Sequence, residues 1–92
     1  MSHPSPAATR LHDVVVIHEQ SGVRWQAGKA TIDAGSIVVV PAPANRPPSG
    51  LLDNPASTYT ISARDAGGRA RSFPNVTYDR ASSAPERRYV FT

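Results

Sequence analysis

The sequence predicts an all-β fold, a small antiparallel barrel or sandwich of about five to seven short strands with little or no helix. Short runs of β-branched residues, or of alternating apolar and polar residues, recur along the 92-residue chain, and such runs are typical of strands. Turn-forming Gly, Asp, Asn and Pro residues separate these runs. No segment keeps an apolar repeat of about 3.6 residues over several turns, so the pattern does not favour an amphipathic helix.

The length and composition indicate one small domain without covalent cross-links. A chain of 92 residues forms a single domain with a small core. The chain contains no cysteine and three histidines, so disulfides are excluded and a structural zinc site lacks its usual ligands. We expect stability to come from packing within the domain or against another subunit.

The N-terminal residues 1–10 are small, polar and Pro-bearing, which is typical of a flexible tail, and residues 11–92 are predicted to form the β domain. The tail lacks the charged and apolar regions of a secretory signal, and no apolar run is long enough to span a membrane. We therefore expect a cytoplasmic protein without a membrane partner. The abundance of Arg, Ala and Pro, with a single Lys, indicates a high-GC bacterial or phage genome.

Three strands are predicted in the first half of the domain. Residues 13–18 form a β-branched run, which favours a strand buried on both faces or at an interface. Residues 23–27 alternate between apolar and polar side chains, and residues 37–40 form a further β-branched run. A turn with a glycine at 33–36 separates the second strand from the third.

The second strand is predicted to contain a bulge at Gly28. Trp25 points to the core in the first part of this strand, but Ala30 and Ile32 are out of phase with it. One extra residue between the two sets reverses the faces, and a glycine is well suited to that position.

Residues 41–57 are predicted to form one long loop. They contain five prolines, a density that neither a strand nor a helix interior tolerates. Leu51 and Leu52 are the apolar exception in this segment. They are predicted either to close an open end of the core or to form an exposed anchor for a protein partner.

Residues 59–73 are predicted to form a basic hairpin, in which two alternating segments flank a Gly-rich turn at 65–68. With a two- or four-residue loop, Arg64, Arg69 and Arg71 share one face of the hairpin, whereas a three-residue loop moves Arg64 to the opposite face. The three guanidinium groups are predicted to contact a partner or to keep a solvated strand soluble.

The C-terminal third carries the excess of positive charge. The formal charge of +3 lies entirely in residues 64–92, because the preceding residues balance. Residues 76–78 are predicted to form a short strand, and residues 87–92 a last strand with Tyr89 and Phe91 on one face. This strand adds three residues to the predicted contact surface: Arg87, Arg88 and Tyr89.

The sequence contains no catalytic or metal-binding pattern that we recognise. It lacks a cysteine nucleophile, a G-x-S-x-G elbow and a phosphate-binding Gly-rich motif. His12 and His18 lie at opposite ends of one predicted strand, about 20 Å apart, so they do not share a metal ion. We predict neither an enzyme nor a bound cofactor. Four aspartates lie beside turn residues, where carboxylates accept backbone N–H bonds: Asp33, Asp53, Asp65 and Asp79.

These observations predict a non-enzymatic protein-binding module, such as an adaptor, an inhibitor or an assembly component. The alternative is a nucleic-acid-binding protein that contacts phosphates through the hairpin arginines. The apolar residues 14–17 also leave open a homodimer formed by pairing of strand edges. The predicted contact residues are Arg64, Arg69, Arg71, Arg87, Arg88, Tyr89, Leu51 and Leu52.

Overall fold

The computed structural model describes residues 9–33, 35–80 and 88–92, and it confirms the predicted all-β fold. The strands are β1 (Thr9–His18), β2 (Arg24–Asp33), β3 (Ser36–Val39), β4 (Tyr59–Asp65), β5 (Ala70–Val76), β6 (Tyr78–Asp79) and β7 (Tyr89–Phe91). All pair antiparallel in one sheet of order β5-β4-β1-β2-β3-β7-β6, which curls into a half-barrel. Within the described residues, no helix has the length and apolar character to cross a lipid bilayer.

The first strand begins earlier than the sequence predicts. β1 starts at Thr9, so the last two residues of the predicted tail belong to the sheet. Thr9 pairs with Ile32 and Arg10 pairs with Thr31, because β2 is long enough to offer partners to both. The rest of the predicted tail, residues 1–8, lies outside the described residues.

Two bulges bend the central pair of strands. Gly28 has a φ of 97° and pairs with Val14, and the register shifts directly beside it, where Ala27 has no partner on β1. This confirms the predicted bulge. Asp13 is the extra residue on β1, with a φ of 51°, and it allows both Leu11 and Val14 to face the core although they are an odd number of residues apart. The sequence does not reveal this second bulge, because the β-branched run hides the alternation.

The core lies on the concave face of the sheet and contains most of the aromatic residues. The rings of Tyr59 and Phe91 meet edge to face with centroids 5.5 Å apart, and Trp25 and Tyr89 do so at 5.2 Å. Such aromatic pairs add to the stabilisation from burial alone. The largest fully buried side chains are Tyr59, Phe91, Ile61, Val14, Val16 and Val39.

The Pro-rich loop closes one opening of this core. Leu51 and Leu52 are 5% and 9% exposed and belong to the core cluster, so they form the plug and not the exposed anchor. The Tyr59 hydroxyl donates to the Leu51 carbonyl at 2.6 Å, and the Arg80 guanidinium donates to the Leu52 carbonyl at 2.9 Å. These bonds fix the backbone that carries both leucines.

The sheet leaves neither β1 nor β7 at an edge. β1 pairs with β4 on one side and with β2 on the other, and β7 lies between β3 and β6. The backbone of residues 14–17 is therefore already paired, and a homodimer built on an open β1 edge is wrong. The edge strands are β5 and β6.

Candidate partner-binding surface

The basic hairpin forms with a three-residue loop. The Asp65 N–H donates to the Arg69 carbonyl at 3.0 Å, which leaves residues 66–68 as the loop, and Gly68 adopts a φ of 81°. This geometry is a type I turn followed by a glycine bulge, a common hairpin connection. The Asp65 carboxylate accepts the N–H groups of Arg69 at 3.0 Å and Gly67 at 2.9 Å. These bonds hold the pKa of Asp65 below its ordinary value, the Arg69 bond being the largest cause.

The loop length separates the hairpin arginines. Arg64 pairs with Ala70, and Arg71 pairs with the buried Ala63, so Arg64 and Arg71 lie on opposite faces of the sheet. The expectation that all three guanidinium groups share one face is therefore wrong. The reason is the extra residue at the glycine bulge, which changes the parity between the two strands.

Arg69 and Arg71 lie on the strand side that follows the hairpin turn. The Arg71 guanidinium lies 5.5 Å from the centre of the Phe73 ring and 3.7 Å from the Asp65 carboxylate. Arg69 is exposed just before β5, and it lines a shallow concavity with Arg71, Asp65 and Arg10. The carboxylate of Asp65 offsets part of the positive charge at this end of the hairpin.

Arg64 instead belongs to a row of basic side chains across the outer face of the sheet. His12 on β1 is the direct cross-strand neighbour of Arg64 on β4 and of Lys29 on β2. Arg10 lies two residues before His12 and therefore on the same face. We call Arg10, His12, Lys29 and Arg64 the basic row, and all four are exposed.

Little negative charge compensates the basic row. Among the described residues, no carboxylate forms an ion pair with Arg10, Lys29 or Arg64. The nearest acidic contact is that of His12, whose Nδ1 lies 3.2 Å from the Asp13 carboxylate. Its Nε2 lies 3.0 Å from the Asp65 carbonyl oxygen at the end of β4. Arg64 and Lys29, the two permanent cations on either side of His12, therefore have no carboxylate partner among the described residues.

The remaining predicted contact residues do not join the basic row. Arg88 is exposed and Tyr89 is half-buried against Trp25, at β7, which is separated from β1 by two strands. Arg87 lies outside the described residues. The predicted set is therefore divided among different parts of the molecule.

Sequence reasoning missed three members of the basic row: Arg10, His12 and Lys29. A signal existed for Arg10 and His12, which are two residues apart and share a face in any strand. However, the small, polar and Pro-bearing residues around Arg10 predict a flexible tail, and the position of Lys29 depends on the pairing of β1 with β2 across two bulges. That register is a tertiary property.

A second polar cluster lies at the other end of β1. The His18 ring nitrogens lie 2.8 Å from the Ser57 hydroxyl and 2.6 Å from the Ser21 hydroxyl. Ser57 is only 5% exposed, so a substrate does not reach its hydroxyl in this conformation. The cluster ties the end of the Pro-rich loop to β1 and has a structural explanation.

Comparison of the chain with protein-family models, with curated proteins and with solved structures found no match. The basic row is therefore assigned from its own residues. Its chemistry is that of a cationic surface suited to carboxylates or phosphates.

Proposed function

We propose that the protein is a non-enzymatic protein-binding module whose basic row contacts an acidic surface of its partner. The observation that carries the proposal is the side-by-side placement of Arg64, His12 and Lys29 on three neighbouring strands. Arg64 and Lys29 have no carboxylate partner among the described residues. An acidic partner supplies the opposite charge, fixes the register of the complex and speeds association.

The shape of the sheet favours docking on its face over strand addition at its edges. The edge strand β5 contains Pro74, which has no N–H to donate, and Asn75 with a φ of 60°. The other edge strand, β6, has two residues. Interrupted and very short edges resist pairing with another chain.

A nucleic-acid partner has weaker support. The hairpin does not present three guanidinium groups on one face, so the ribbon expected to meet phosphates is not formed. Proteins that bind single strands use exposed aromatic side chains as stacking platforms. Every Trp, Tyr and Phe of the chain is buried or half-buried: Trp25, Tyr59, Phe73, Tyr78, Tyr89 and Phe91.

The proposal is tested by titrating a labelled oligoglutamate peptide, and labelled mixed-sequence DNA and RNA, with the purified protein. Fluorescence anisotropy is recorded at low and near-physiological salt. We expect salt-sensitive binding of the peptide that is lost when Lys29→Glu and Arg64→Glu are combined, because each reversal turns attraction into repulsion.

The matched control combines Arg24→Glu with Arg46→Glu, which changes the net charge equally at two exposed positions outside the basic row. Retained peptide binding in this control assigns the effect to the basic row. Equal loss in both variants contradicts the proposal, since net charge alone then decides binding. Tighter binding of DNA or RNA than of the peptide, lost on Arg69→Glu with Arg71→Glu, favours the nucleic-acid alternative.

A further inference from the structure

An apolar groove adjoins the basic row on the outer face of the sheet. Val40 is one of two large hydrophobic residues among the described residues that are strongly exposed, at 49%, and the other is Val23 at 45%. The Val40 N–H donates to the Lys29 carbonyl at 3.0 Å, which fixes the valine beside β2. The groove is lined by Arg10, Leu11, Lys29, Ala30, Thr31 and Val40.

The groove continues past Val40 toward the start of the Pro-rich loop. A second concavity shares Lys29 and Val40 with the groove and adds Gly28, Pro41, Ala42 and Asn45 to its lining, with Ala27 beneath. Gly28 carries no side chain, and a Cβ placed there meets no atom within 4 Å, so this concavity is open at Gly28. We call the groove and this second concavity together the trough.

The wall formed by Asn45 is held in place by hydrogen bonds. Its side-chain oxygen accepts the Trp25 indole N–H at 3.0 Å, and its amide nitrogen donates to the Gln26 carbonyl at 2.8 Å. The loop segment beside Val40 is therefore anchored to β2 before any partner arrives. A preorganised surface of this kind loses less conformational entropy on binding.

The distribution of charge along the trough identifies the kind of segment that fits it. Arg10 lines one end, and Lys29 and Val40 lie where the two concavities meet. Pro41 and Ala42 line the other end. His12 is the cross-strand neighbour of Lys29, and Arg64 lies beyond His12 on β4. In an extended segment, alternate side chains point to opposite sides and residues two apart lie about 7 Å from each other.

We propose that this trough binds an extended acidic segment of a partner protein, with one apolar side chain seated against Val40 and Pro41. Carboxylates two residues from that apolar side chain, and therefore on the same side of the segment, pair with Arg10 and Lys29. This inference rests on the proposed function and specifies the partner as an acidic segment with an embedded apolar residue, not a uniformly acidic surface.

The test compares two labelled peptides of equal charge, in which either leucine or alanine occupies one position and glutamates lie two residues before and two residues after it. We expect the leucine peptide to bind the wild-type protein about tenfold more tightly, the effect of burying a few additional CH₂ groups. Val40→Ser is expected to abolish this preference. The control Val23→Ser, at the other exposed valine, is expected to retain it, and circular dichroism checks that both variants are folded.

The outcomes separate this inference from the proposed function. If the wild-type protein binds the two peptides with equal affinity, the proposal that the trough seats an apolar side chain is wrong. The proposal that the basic row binds an acidic partner is then unaffected. Failure of both peptides to bind overturns the proposed function and the trough with it. A dimer in sedimentation equilibrium without peptide, dissociated by Val40→Ser, assigns the trough to a second copy of this chain and overturns the peptide proposal.

Discussion

At the residue scale, Glu19 joins three strands through one carboxylate. It accepts hydrogen bonds from the Thr58 hydroxyl at 2.6 Å, the Thr60 hydroxyl at 2.7 Å and the Asn75 N–H at 2.8 Å. The bonds stabilise the ionised form, so they hold the pKa of Glu19 below its ordinary value, with Thr58 as the largest cause. The carboxylate connects the end of β1 to β4 and to the backbone turn within β5.

This lowered pKa predicts a loss of stability in acid. Because the folded pKa lies below the unfolded one, the contribution of Glu19 is complete above the unfolded pKa and disappears as the pH falls through the folded pKa. We expect Glu19→Gln to be less stable than the wild-type protein at pH 7 and to lose less stability on acidification. Urea unfolding at a series of pH values measures both. Asp65 titrates in both proteins, so its effect cancels in the difference, and parallel pH profiles contradict the prediction.

At the element scale, Leu51 and Leu52, the leucines of the Pro-rich loop that we call the plug, show which features of the fold the sequence predicts and which it leaves open. The unusual Leu51 and Leu52 in a Pro-rich segment indicate a core plug or an anchor, and only the position of the loop over the half-barrel decides between them. Gly28 is predictable because the apolar pattern changes phase around it. The basic row is not predictable, because Arg64 and Lys29 become neighbours only through β1, whose bulge at Asp13 leaves no trace in the local pattern.

The plug predicts a large cost when its leucines are changed. Leu51→Ala is expected to destabilise the protein by about 2–5 kcal/mol, the range for deleting a buried leucine side chain. Leu51→Asp combined with Leu52→Asp is expected to abolish folding, because two charges are buried without partners. The matched control, Ser49→Asp with Ala56→Asp, adds the same charge at exposed positions of the same loop. Thermal unfolding followed by circular dichroism distinguishes them, and a folded double-leucine variant shows that the plug is dispensable.

At the scale of the whole molecule, the chain brings the two edges of its sheet together. The edge strands β5 and β6 are separated in sequence by Thr77 alone. The Thr77 N–H donates to the Thr92 carbonyl and the Thr92 N–H donates to the Thr77 carbonyl, both at 2.9 Å. The sequence predicts a barrel or a sandwich from its short strands, but the half-barrel depends on the insertion of β7 between β3 and β6. That long-range pairing is invisible in local patterns.

The insertion of β7 predicts that the last strand is required for the whole sheet. Phe91 is fully buried, and its ring lies 5.5 Å from those of both Tyr59 and Tyr78, so it connects β4, next to the β5 edge, with the β6 edge of the same sheet. We expect Phe91→Ala to cost about 3–5 kcal/mol, a large part of the roughly 5–15 kcal/mol that stabilises a typical domain. Trp25 fluorescence and far-ultraviolet circular dichroism should shift together in urea, since the loss affects one cooperative unit.

The control Thr92→Ala keeps the backbone pair with Thr77 and should unfold like the wild-type protein. If Phe91→Ala leaves the Trp25 transition unchanged, β7 is a peripheral strand and the half-barrel is stable without it.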